Sequence, residues 1–143
     1  MSNWIGPYKL KSLSSLVLGD DFSFPDGKIV YLVSLKVWKN NPTKDNSILY
    51  IGQSGGTNEH QARARLGALI SNILGFYNIE NNNRHKGGEA IFKYCVTNKI
   101  TPFSLYISWK NSNNLNTEEK SLIKELQPFI NQRNANRVDG PDE

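Results

Sequence analysis

The sequence contains one cysteine, Cys95, among its 143 residues, so it cannot form an internal disulfide. No apolar run approaches the roughly 20 residues that a membrane-spanning helix needs. The first ten residues, MSNWIGPYKL, also lack the apolar core of a signal peptide. These absences predict a cytoplasmic protein that does not interact with a membrane.

Acidic residues are in the minority, with 13 Asp and Glu against 17 Lys and Arg. The resulting net charge of +4 favours an anionic partner such as nucleic acid, although many soluble proteins are equally basic. The length and the 38% hydrophobic content suit one compact domain with its own core.

The order of the apolar patterns predicts a small α+β domain with a three-stranded antiparallel sheet flanked by helices. We expect an N-terminal leader over residues 1–27 that packs on the domain, the domain itself over 28–133, and a flexible tail over 134–143. In the leader, Leu10, Leu13 and Leu16 recur at helical steps, before the break at GDDFSFPDG.

The first predicted strand, KIVYLVSLKVW, is apolar on both faces, which is typical of a central strand. The polar stretch KNNPTKDNS predicts a hairpin-like connection to the second strand, ILYIGQS, and TPFSLYISW predicts the third.

Three helices complete the predicted domain. Thr57 or Asn58 is suited to cap a first helix, whose apolar stripe comprises Ala62, Leu66, Leu69, Ile70 and Ile73. A second helix spans EAIFKYCVTNK, with Cys95 as a core residue. The third begins at Thr117, and Pro128 should end or kink it.

The glutamates at the start of the last helix differ in their predicted environment. Glu119 lies in the middle of an apolar stripe, whereas Glu118 lies about 100° away around the helix axis. A carboxylate on a buried face is costly unless something pairs with it, and a metal ion would do so. Glu118 is then a first-turn residue suited to the helix dipole. The alternative is that fraying of the helix end exposes Glu119 to solvent.

Several segments together resemble the GIY-YIG nuclease family. They are a strand carrying IVY, a second strand carrying YIGQS, a helix with RARL, and a last helix reading EEKSLIKELQPFIN. The resemblance runs from about Lys28 to Asn131, and Glu119 and Asn131 are separated by 12 positions, as in the family pattern.

The sequence departs from that pattern at three places. Ile29 stands where the first half-motif has glycine, and 18 residues separate Tyr31 from Tyr50, which is longer than usual. The longer connection is energetically tolerable. Leu69 occupies the position, one turn after the helix arginine, where the family often has histidine.

The resemblance implies a role for each matching residue. Tyr31 would position or deprotonate the attacking water, Tyr50 would contact the phosphate, and Arg65 would neutralise its charge. Glu119 would hold one magnesium ion (Mg²⁺) or manganese ion (Mn²⁺). Asn131 completes the family's catalytic set, either near the phosphate or as an anchor of the helix end.

Helical geometry alone leaves the choice of arginine open, because Arg63 and Arg65 flank the apolar stripe on opposite sides. The family's RL pairing selects Arg65, which leaves Arg63 as a phosphate contact or a solvated side chain. His85 and Lys86 in the loop NRHKGG are candidate DNA contacts, although a solvated loop histidine fits equally well. Gln53 is a further candidate phosphate contact, or simply part of the turn from strand to helix.

These expectations converge on a metal-dependent endonuclease that hydrolyses DNA phosphodiester bonds. The alternatives are a non-catalytic nucleic-acid-binding module of the same fold and a protein-interaction domain whose basic character is incidental. DNA is the expected partner, and a homodimer or a separate recognition subunit would be two ways to add specificity.

Overall fold

The computed structural model describes residues 3–12, 26–55, 61–76 and 85–134, with side chains as far as Asn131. Its strands are β1 (Ile5–Lys9), β2 (Ile29–Ser34), β3 (Ile48–Ser54) and β4 (Tyr106–Asn111). Its helices are α1 (Gln61–Ile73), α2 (Lys86–Asn98), α3 (Leu115–Leu126) and α4 (Phe129–Asn134), with short 3₁₀ turns at Lys44–Asn46 and Pro102–Ser104.

The strands form one antiparallel sheet in the order β1-β4-β2-β3. The α+β class and the antiparallel sheet are therefore confirmed, but the prediction of three strands is wrong, because the described residues form a four-stranded sheet. The central position predicted for β2 is confirmed, since β2 lies between β4 and β3.

The additional strand comes from the segment predicted to be a packed leader. β1 pairs with β4, and its register shifts between Ile5 and Tyr8, around Gly6 and Pro7. Gly6 has a φ of +97°, and a Cβ there would lie 2.9 Å from the carbonyl oxygen of Ile107. Glycine is needed at such a position, and the Gly-Pro pair interrupts the alternation that marks a strand in a sequence.

The predicted hairpin between β2 and β3 is confirmed, and it contains an irregularity. Val33 pairs with Tyr50, whereas Ser34 pairs with Ile48, so Leu49 is the extra residue of a bulge. Leu49 and Tyr50 consequently belong to the same core cluster although they are neighbours in the chain.

Each face of the sheet packs on a different set of helices. Tyr31 and Val33 lie on the face covered by α1 and α2, in a cluster that also contains Leu66, Leu69 and Ile91. Val30, Leu32 and Ile51 lie on the opposite face, where Leu122 and Ile123 of α3 pack. This division decides which side chains can meet, because successive strand residues point to opposite faces.

The helix predictions hold with shifted boundaries. α3 begins at Leu115 instead of Thr117, and its N-cap is Asn114. It ends at Leu126, and the chain resumes as α4 after Pro128, so the predicted break is confirmed. The predicted burial of Cys95 is also confirmed, since its side chain is fully buried.

Some predictions fall outside the described residues, namely the capping of α1 by Thr57 or Asn58, the helical steps at Leu13 and Leu16, and almost all of the tail. Among the described residues, no helix is both long enough and apolar enough to span a membrane.

Candidate functional site

The two predicted tyrosines lie side by side on the face of the sheet covered by α1 and α2. The β2–β3 register places Tyr31 opposite Gly52 and Tyr50 opposite Val33. The ring centroids of Tyr31 and Tyr50 are 6.3 Å apart, and each side chain is only 1% exposed. Both rings are therefore packed in the protein interior.

Two glycines provide the space for these rings. A Cβ on Gly52 would lie 2.7 Å from the Tyr31 hydroxyl oxygen, and a Cβ on Gly87 would lie 2.5 Å from Cζ of Tyr50. Both distances are far below ordinary van der Waals contact. The glycine of YIG thus accommodates the first tyrosine, and the tip of Tyr50 lies against the first turn of α2.

His85 completes the cluster, and its position differs from both sequence-based expectations, a phosphate contact in a loop and a solvated histidine. The residue is fully buried and is the N-cap of α2, where its Nδ1 accepts a hydrogen bond from the Gly88 backbone N–H at 3.1 Å. Its Nε2 lies 2.9 Å from the Tyr31 hydroxyl oxygen. Its backbone N–H donates to Oδ1 of Asn72 on α1 at 2.8 Å.

The rings of Tyr31, Tyr50 and His85 form a compact group. The His85 ring centroid is 6.2 Å from that of Tyr31 and 6.1 Å from that of Tyr50, in both cases edge to face. We call these three residues the aromatic cluster. The sequence does contain a signal for this cluster. His85 immediately precedes the helical segment KGGEAIF, where it can act as the N-cap, and Gly87 and Gly88 permit close packing of the first turn.

Burial of the His85 ring and, to a smaller extent, the positive charge of Arg65 lower the pKa of His85 from 6.5 to about 3. His85 is consequently neutral at physiological pH. The same interaction shows that Arg65 of α1 is on the side of the aromatic cluster and is near enough for its charge to act there. Arg65 is partly buried, whereas Arg63 is exposed.

Glu119 occupies the opposite face of the sheet. It is 5% exposed, and its Oε1 accepts a hydrogen bond from Nε2 of Gln53 at 2.6 Å. The same Gln53 nitrogen donates to Oδ1 of Asn116 at 2.8 Å. The inward position predicted for Glu119 is confirmed. Gln53, a candidate phosphate contact or turn residue, orients this carboxylate.

A polar depression of about 490 Å³ adjoins this group at the end of β3. Its lining includes Lys28, immediately before β2, with Gln53 and Gly55, and, around the start of α3, Asn114, Asn116 and Thr117. The aromatic cluster and Glu119 thus lie on opposite sides of the last residues of β3, because Gly52 and Gln53 point to opposite faces.

Glu118 has a different environment from Glu119 and a different partner. It forms an ion pair with Lys110 of β4. Burial opposes ionisation of its carboxyl, but the hydrogen bonds from Lys110 and Ser112 and the positive charge of Lys110 together hold the pKa below the ordinary value. The predicted difference between the two glutamates is therefore visible in the structure.

Asn131 binds the edge of β3. Its side-chain oxygen accepts a hydrogen bond from the Ile51 backbone N–H, and its Nδ2 donates to the Ile51 carbonyl oxygen at 2.8 Å. Because β3 is an edge strand, these backbone groups have no strand partner on that side. Asn131 therefore anchors α4 to the sheet by side-chain hydrogen bonds to backbone, which is the anchoring alternative expected for it.

Lys86 is exposed at the first position of α2, next to the buried histidine. No group of three or more His, Cys, Asp or Glu residues is close enough to hold a metal ion within the parts of the chain described.

No protein-family model, curated protein or solved structure matches this chain. The resemblance to the GIY-YIG family therefore depends on the sequence motifs alone.

Proposed function

We propose that this protein is a metal-dependent endonuclease that hydrolyses DNA phosphodiester bonds in the cytoplasm, with a GIY-YIG-like catalytic domain. The observation that carries the proposal is the grouping around His85. Tyr31, Tyr50 and Arg65 belong to sequence motifs on two strands and a helix, and all three interact with this one buried histidine.

Each residue has a chemical task in this proposal. The phenolate form of Tyr31 accepts the proton of the attacking water and becomes the neutral phenol, and the Tyr50 hydroxyl contacts the phosphate. The guanidinium of Arg65 offsets the negative charge that develops on the phosphoryl oxygens and favours the anionic form of the tyrosines. Lys86 and Arg63 are exposed and contact phosphates farther along the strand.

The donor atoms on the α3 side fit a hard divalent cation. Magnesium and manganese prefer carboxylate and amide oxygens, and magnesium sites use one or two carboxylates completed by waters and substrate phosphates. Glu119 supplies the carboxylate, and Gln53 holds it in position. When bound, the cation would offset charge on the phosphoryl group and on the leaving oxygen.

The substrate strand would pass the end of β3. The aromatic cluster is on one side of Gly52 and Gln53, and Glu119 with the polar depression is on the other. A phosphodiester backbone would need to lie at this end of the sheet to approach both groups, because each face of the sheet carries only one of them.

A non-catalytic nucleic-acid-binding module of the same fold is the second candidate. The observation that favours it is the burial of the aromatic cluster, since His85 is fully buried and the two tyrosines are 1% exposed. A hydrogen-bonded aromatic cluster of this kind also stabilises a core without any catalytic task.

The deciding experiment incubates the purified protein with plasmid, single-stranded and branched DNA, with and without magnesium. We expect cleavage of at least one substrate, dependent on the metal. Binding without cleavage of any substrate would favour the second candidate.

A further inference from the structure

His85 has a hydrogen-bond partner at every polar atom of its ring. Nδ1 contacts the Gly88 backbone N–H at 3.1 Å, and Nε2 contacts the Tyr31 hydroxyl oxygen at 2.9 Å. The His85 ring is fully buried between the sheet and the start of α2.

The partner of Nδ1 decides which nitrogen carries the proton. A backbone N–H can only donate, so Nδ1 must offer a lone pair to Gly88. Neutral imidazole then has its hydrogen on Nε2, and Nε2–H must donate to the oxygen of Tyr31. A doubly protonated ring would lose the Gly88 bond and would place a buried positive charge near Arg65.

We propose that His85 is a positioning residue whose Nε2–H donates to the Tyr31 hydroxyl oxygen and turns the Tyr31 O–H bond away from α2. The direction of this bond follows from the geometry alone. Its catalytic consequence depends on the function proposed above, in which Tyr31 takes a proton from water.

The consequence is electrostatic as well as geometric. A hydrogen bond donated to a phenol oxygen stabilises the deprotonated form more than the protonated form, because the negative charge is then on the acceptor atom. Among the described residues, the other ionisable groups on this side of the sheet include Tyr8, Tyr50, Arg65, the buried Glu89 in the first turn of α2, Tyr94 and Cys95. Of these groups Arg65 acts in the same direction as His85, whereas an ionised Glu89 would oppose it.

The same geometry excludes a second role. A histidine acting as general base toward Tyr31 would need a lone pair on Nε2, but that nitrogen holds the proton. His85 therefore orients the base and does not act as one.

Two amide substitutions separate the capping bond from the bond to Tyr31. In His85→Asn, the side-chain oxygen is at the distance of Nδ1 from the backbone, so it can cap Gly88 but cannot reach Tyr31. In His85→Gln, the amide nitrogen is at the distance of Nε2, so it can donate to Tyr31 but leaves the helix cap weaker. Asn is also among the best N-cap residues, which favours folding of the first variant.

The first test measures the ring-nitrogen chemical shifts of His85 by NMR and needs no catalytic activity. The sequence has two histidines, so His60→Gln leaves His85 as the sole signal. We expect a protonated Nε2 and an unprotonated Nδ1, unchanged between pH 7 and pH 5. Protonation at Nδ1, or titration near pH 6.5, would overturn the proposal.

The second test compares DNA cleavage by the two variants. We expect His85→Asn to lower kcat by roughly tenfold or more with KM almost unchanged, because the base is misdirected while substrate contacts remain. His85→Gln should keep most of kcat and lose more thermal stability than His85→Asn. The reverse order of kcat would overturn the positioning role. If the parent cleaves no DNA, the proposed function fails, while the NMR result still decides the direction of the hydrogen bond.

Discussion

A tyrosine as deeply buried as Tyr31 needs a partner for its hydroxyl, since an unpaired buried polar group costs about 1–3 kcal/mol. His85 meets that need, and it is fixed by its own bond to Gly88. A structural tyrosine would be served equally well by water or a backbone carbonyl. The partner of Tyr31 is instead a neutral imidazole close to Arg65, and both groups favour the anionic form of Tyr31 that a catalytic role requires.

The change Tyr31→Phe or Tyr50→Phe removes one oxygen and leaves the ring packing intact. We expect both variants to fold, with Tyr31→Phe losing about 1–3 kcal/mol of stability because it leaves the buried His85 Nε2–H without its acceptor. Each should lose at least roughly a hundredfold in cleavage rate, which is typical of acid–base groups. Rates should be measured beside Tyr106→Phe, a partly buried tyrosine on β4. Full activity in both variants would show that the hydroxyls are structural.

His85 should also make the protein sensitive to acid. Its pKa is about 3 in the folded state, against an ordinary 6.5, so between these values the unfolded chain binds the extra proton. The contribution of neutral His85 to the free energy of unfolding is fully present above pH 6.5 and is lost as the pH falls toward 3. At pH 5 we expect a loss of about 2 kcal/mol, at about 1.4 kcal/mol per pKa unit. Urea unfolding at pH 7 and pH 5 measures it, and an equal loss in His85→Asn would contradict this assignment.

At the scale of elements, the start of α2 is the part of the fold that brings strands and helices together at the site. Its N-cap binds Tyr31, its second residue is packed against Tyr50, and its third lies close to α1, where a Cβ on Gly88 would be 2.9 Å from the Leu69 carbonyl oxygen. The element therefore tolerates little change of volume in its first turn.

Gly87→Ala tests this contact, with Gly67→Ala of α1 as the matched control. The new methyl group at position 87 would meet the Tyr50 ring, whereas nothing lies within 4 Å of a Cβ at Gly67. We expect Gly87→Ala to destabilise the fold by about 1–3 kcal/mol and to reduce cleavage. Gly67→Ala should stabilise it by about 0.5–1 kcal/mol, since alanine is favoured over glycine in helices. Equal effects on the melting temperatures would exclude the close contact.

Sequence patterns predicted the elements that have regular periodicity and missed those that do not. The apolar faces of β2 and the break at Pro128 followed directly from side-chain spacing and backbone chemistry. β1 was missed because Gly6 and Pro7 interrupt its alternation. His85 was misjudged because its neighbours in NRHKGG are polar, and burial of a capping residue depends on tertiary packing that spacing does not encode.

For the whole molecule, the net charge of +4 is modest, so the location of the basic residues matters more than their number. Arg65 and Lys86 lie near the aromatic cluster, from α1 and α2 respectively. Lys44 lies in the β2–β3 connection, at the end of the hairpin away from Gly52. We therefore expect Lys86, beside the aromatic cluster, to contribute more to DNA binding than Lys44, although both carry the same charge.

DNA affinity should fall steeply as salt concentration rises, because bound phosphates release counterions. Removing a lysine that contacts phosphate reduces the slope of log affinity against log salt by about 1. We expect this reduction for Lys86→Ala and almost none for Lys44→Ala. Affinity that is insensitive to salt, or equal slopes for the two variants, would count against a DNA-binding surface beside the aromatic cluster.

The central claim is metal-dependent hydrolysis, and Glu119→Gln tests it most directly when cleavage and binding are measured in parallel. The substitution preserves size and the hydrogen-bond site of Gln53 while removing the charge that would hold the cation. We expect cleavage to be abolished, and DNA binding to be preserved or tightened because repulsion from phosphate is relieved. Cleavage that persists in Glu119→Gln, or that continues in the parent protein after a chelator is added, would contradict the account.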